Sequence, residues 1–138
     1  MLVPEARQAR LGPGRLLVAV YAVFAVSATA RSTVQIATRF GDAPVAYLLS
    51  AFAAAVYVAA TVALARDALL VALIACGVEL VGVVMVGAAS LLVPGAFPDA
   101  TVWSVFGRGY GFVPLVLPVV GLWWVLRVRR AQRAVRSE

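Results

Sequence analysis

Lysine and histidine are absent from this 138-residue chain, and cysteine occurs once, at Cys76. A lone thiol excludes an internal disulfide. Without histidine, the usual zinc, haem and thiol-redox ligand sets cannot be assembled within one chain, so no metal and no cofactor are expected. Charge is scarce too: 13% of residues, against about 25% in soluble domains. The chain offers no nucleophile–base set, which argues against an enzyme.

What remains is overwhelmingly apolar. Hydrophobic residues make up 64% of the chain, and the mean hydropathy is +0.99. No soluble core of this length needs so much apolar surface, so lipid must serve as part of the solvent. The runs are continuous rather than alternating in short segments, which excludes a transmembrane β-barrel. All 12 basic residues are arginine and the formal net charge is +6. Their placement fits a membrane-orientation signal, and nucleic acid is not an expected partner.

The longest apolar stretch is Ala68 to Val93, 26 residues broken by one carboxylate, Glu79, near its centre. At about 1.5 Å per residue it is long enough for a hydrocarbon core of about 30 Å. Three further spans are expected: Leu16 to about Thr38, Val45 to Ala65, and Phe112 to about Leu126. Phe40 to Ala43 and Arg66-Asp67 form the tight turns, and Pro44 suits the first turn of its helix. Between the third and fourth spans, Asp99 as an N-cap, the apolar side of Val102, Trp103 and Phe106, and Gly107 as a stop predict a short interfacial helix. The fold class read from the sequence is all-α: a single four-transmembrane-helix bundle over residues 16–126. It is flanked by a basic N-terminus (residues 1–15) and a basic tail (residues 127–138).

Four spans put both termini on one side. That side holds nine arginines, at 7, 10, 15, 66, 127, 129, 130, 133 and 136, while Arg39 and Arg108 lie on the other. The bias predicts an N-in, C-in topology. A second reading of residues 1–30 is a signal peptide ending at Ala28-Thr29-Ala30, and it leaves the orientation of the remainder unchanged.

Two constellations stand out. Ser27, Arg31, Gln35 and Arg39 recur every fourth residue and form one polar stripe on the first span. By helix rise, Arg31 falls within about 6 Å of the level of Glu79. That makes an Arg31–Glu79 pair the leading candidate, either as structural glue between helices or as a proton- or substrate-responsive carboxylate. On the second span, Ala51, Ala55, Ala59 and Ala63 form a small-residue ladder suited to close helix contact, within the bundle or with a second copy. Gly82 belongs to a similar small face around Glu79 on the third. Tyr57 is either ordinary packing or a hydroxyl partner for the buried pair.

The segments ATARSTVQIATRF, APVAYLLSA, CGVELVGV and FPDATVWSVFGRGYGFVPLVLPVVGLWW resemble small bacterial four-span integral membrane proteins with no assigned function. The resemblance covers about residues 16–126 and implies a location in the bacterial inner membrane. Size and a single membrane carboxylate are also similar to the small multidrug resistance transporters, but there the essential glutamate is on the first span and here it is on the third. The expected company is the bilayer itself, with a homo-oligomer or a larger membrane partner. The expected role is a non-enzymatic accessory or interaction protein; the alternative is an oligomeric transporter or channel using Glu79.

Overall fold

The computed structural model describes residue 12 and residues 14–136, so Arg7 and Arg10 of the basic N-terminus lie outside the described residues. Among these residues the architecture is all-α, with no strand. Helix α1 spans Arg15–Arg39, α2 Pro44–Ala65, α3 Leu69–Leu92 and α4 Val113–Arg136. Helices α1 and α2 pack together, as do α2 and α3, and α3 and α4. Gly121 of α4 closes the bundle against α1 and α3. A Cβ there would sit 2.8 Å from Cys76 Sγ and 3.1 Å from the Tyr21 hydroxyl, so only glycine permits this approach.

The turns follow from their residues. A 3-10 turn, Phe40–Asp42, leads to Pro44 at the start of α2, where the missing N–H leaves nothing unpaired. Between α2 and α3, Ala68 N donates to Ala63 O at 2.9 Å and Asp67 N to Leu64 O at 3.4 Å. This is a Schellman closure, with Asp67 rather than glycine in the left-handed position.

Helices α1, α2 and α3 are each long and apolar enough to cross a bilayer. Their outward faces carry Leu16, Val23, Val26, Leu70, Ile74, Val81 and Met85, all exposed. Such a surface belongs in lipid, and the chain is a multi-pass membrane protein. Helix α4 differs. Its apolar part, Val113 to Leu126, is only about 21 Å long. It reaches the length of a span only together with the preceding segment Ser104–Tyr110, bent from it by 99°.

That preceding segment is not the interfacial helix the sequence predicts. It is a 3-10 stretch in which Val105, Phe106 and Gly107 adopt left-handed backbone angles. It turns into the bundle, and Trp103 just before it is 1% exposed. Non-helical backbone at membrane depth must be satisfied by protein, and hydroxyls do this here. Ser90 Oγ accepts from Val105 N, Ser104 Oγ from Thr101 N, and Thr101 Oγ1 from Trp103 N. The aromatic rings fit because α3 offers notches at Gly82, under the Trp103 indole, and at Gly87, under Phe106.

The alanine ladder, expected to make contact within the bundle or with a second copy, is not the seam inside this chain. Ala63 is buried, but Ala51, Ala55 and Ala59 line an open groove of about 730 Å³ between α1 and α2. The inward face of α2 is instead Ala46, Ser50, Ala53, Tyr57, Ala60 and Leu64, because Tyr57 must turn toward α3. The basic tail also does not begin as a separate segment at residue 127. Helix α4 runs on to Arg136, and Val128 is buried in the same core as Trp124 and Val125.

Candidate functional site

Glu79 lies at the eleventh residue of α3 and is fully enclosed, with 0% exposure. Its partner is Tyr21 of α1, whose hydroxyl donates to Glu79 Oε1 at 2.7 Å. The same hydroxyl lies 3.4 Å from Cys76 Sγ, one helical turn before Glu79. Tyr57 of α2 also faces the carboxyl group, and its hydroxyl accepts from Trp103 Nε1 at 3.1 Å. Glu79 Oε2 has no hydrogen-bond partner. Three helices, and the 93–112 connection through Trp103, thus meet around one carboxyl group.

Aromatic rings roof this centre. Tyr21 and Tyr57 stand 6.3 Å apart by ring centroid, and Tyr57 and Trp103 6.5 Å. Phe24 bridges Tyr57 at 5.6 Å and Tyr110 at 5.9 Å. These offset and tilted contacts suit aromatic quadrupoles and fill the space between Glu79 and the 93–112 connection.

Arg31 and Glu79 are not paired. The Arg31 guanidinium donates from Nη1 to the Tyr110 hydroxyl and from Nη2 to Ala100 O at 3.3 Å. The reason is register. It is Tyr21 that meets Glu79, and Arg31 lies ten residues, or about 15 Å, further along α1. At that level the 93–112 connection supplies the acceptors instead. The rest of the polar stripe shares this higher level. Ser27 and Arg31 line a small cavity of about 20 Å³ with Ser50 and Tyr110. Gln35 is buried, and Arg39 is exposed at the end of α1, where Nη2 lies 3.9 Å from Asp99 Oδ2. Asp99 does not cap a helix: Oδ2 accepts from the Tyr47 hydroxyl at 2.8 Å and Oδ1 from Ala100 N at 3.1 Å. The stripe therefore organises the loop end of α1, away from the carboxyl group.

Tyr21 is not marked out by its sequence context, the apolar first half of the first span. The signal was present as its one hydroxyl, in LLVAVYAVFAV, but depth counted from helix starts could not match it to Glu79. Tyr57 was singled out, and it stands beside Glu79 as a hydroxyl. Trp103, expected on the apolar side of an interfacial helix, packs on α3 instead, in a notch at Gly82 that exists only in three dimensions.

Among the described residues no cluster of metal-ligating side chains occurs. No family model, curated protein or solved structure matches the chain.

Proposed function

We propose that this chain is a non-enzymatic membrane protein, inserted N-in and C-in, that acts by association within the bilayer, with Glu79 as a structural tie. The observation that supports the reading is the enclosure of Glu79. A carboxyl group with 0% exposure, held by Tyr21 at 2.7 Å and roofed by aromatic rings, is built like an internal clasp. In a bilayer helices gain little from apolar contact alone, so a buried hydrogen-bonded centre is an effective way to fix their positions. The unpartnered Oε2 favours a second reading, in which the carboxyl group exchanges a proton or ion during transport.

Reconstitution into proteoliposomes separates the two. As a clasp, the wild type and Glu79→Gln give the same background permeability to protons and small cations, and the native protein co-purifies with itself or a defined larger membrane protein. A gradient-driven flux that requires the protein and disappears in a folded Glu79→Gln variant would overturn the proposal in favour of transport.

A further inference from the structure

At the loop end of α1 a cavity of about 440 Å³ is lined by Ala30, Arg31, Val34, Gln35, Arg39 and Asp99, a size within the ordinary range for small-ligand sites. Its depth is informative. Gln35 lies 20 residues beyond Arg15, the first residue of α1, which places it about 30 Å along the helix. That is one hydrocarbon thickness, the level of lipid headgroups.

The wall has three chemical parts. Two guanidinium groups face the cavity. Arg31 has five N–H donors, of which the Tyr110 hydroxyl and Ala100 O engage only two of its nitrogens, Nη1 and Nη2. Arg39 is more than half exposed, and its contact with Asp99 is stretched to 3.9 Å. Gln35 supplies the second part: it is 3% exposed, and its Oε1 has no hydrogen-bond partner. A buried carbonyl oxygen without a donor is costly and rare. The third part is Asp99, fixed by Tyr47 and by the backbone of Ala100. The arginines call for an anion with several acceptor oxygens, as a phosphate ester has. Gln35 Oε1 and Asp99 call for a donor on the same molecule. Ala30 and Val34 leave an apolar edge toward the bilayer.

We propose that this cavity binds a phosphodiester headgroup that also carries a hydrogen-bond donor, an amine or a hydroxyl, as in an ethanolamine or glycerol phospholipid. The phosphate lies between Arg31 and Arg39, and the donor is received by Gln35 Oε1 and Asp99. A choline headgroup keeps the phosphodiester but has no N–H or O–H to offer, so it tests the donor half of the site directly.

The test uses the full detergent-solubilised chain, equal amounts of ethanolamine, glycerol and choline phospholipids, and native mass spectrometry of the lipid retained. The wild type is expected to retain the ethanolamine or glycerol lipid over the choline lipid by about tenfold, as one hydrogen bond to a charged group allows. Gln35→Leu brings that ratio to about one. Arg39→Gln, at an exposed helix end, lowers retention of all three. Arg133→Gln with Arg136→Gln, at the opposite end of the bundle, leaves the ratio unchanged, which excludes the basic tail as the origin of the preference. Soluble phosphoethanolamine added as a competitor distinguishes the sources: displacement assigns the site to a free phosphate ester, and no displacement assigns it to the lipid. A wild type without preference, or a preference that survives both Gln35→Leu and Arg39→Gln, would overturn the assignment.

Discussion

Glu79 and Tyr21 carry the centre of this protein on a single hydrogen bond of 2.7 Å. In bilayers such bonds average about 0.6 kcal/mol and reach about 1.7. Orphaning a buried acceptor costs about 1–3 kcal/mol. Glu79 Oε2 already lacks a partner, so removing the Tyr21 hydroxyl takes away the donor on Oε1 as well, and the larger figure should govern. Tyr21→Phe is expected to destabilise the protein by about 1–2 kcal/mol, read by reversible unfolding in mixed micelles. Repeated in a Glu79→Leu background, the same change should cost almost nothing. Equal costs in the two backgrounds would show that the tyrosine acts by packing alone.

The 3-10 stretch Ser104–Tyr110 shows how an element can be specified by its neighbour. Its left-handed residues, Val105 among them, are unfavourable by about 1–2 kcal/mol each for an L-residue, and they persist because Trp103 and Phe106 seat in the notches of α3. At Gly82 a Cβ would lie 2.6 Å from Trp103 Cζ3, whereas Gly77 on the same helix faces open space. Alanine for glycine inside a helix gains up to about 1 kcal/mol by propensity, while overpacking costs about 1–3 kcal/mol. Gly77→Ala should therefore raise the thermal midpoint and Gly82→Ala should lower it. Midpoints that move in the same direction would mean that the indole is not wedged against α3.

For the whole molecule, orientation rests on the arginine bias, and it can be checked at a position the structure leaves open. Gly95 lies on the 93–112 connection with nothing near its missing Cβ, and the native thiol, Cys76, is buried. Gly95→Cys is expected to react with a membrane-impermeant maleimide on intact cells, while the wild type does not. Reaction only after lysis would reverse the topology.

The sequence by itself determined the solvent, the helices and their turns, because apolar runs of span length and residues such as Pro44 and Asp67 act locally. It also marked Glu79 as the group that needs company. Only the tertiary structure decided which company. Register between helices depends on how side chains such as Tyr21, Gly121 and Trp103 interlock, and a shift of about three turns replaces an arginine by a tyrosine at the same carboxyl group. The fate of the 93–112 connection was hidden for the same reason. Its backbone is paired by Ser90 on another element, and its rings fill glycine notches that no periodicity along the chain reveals.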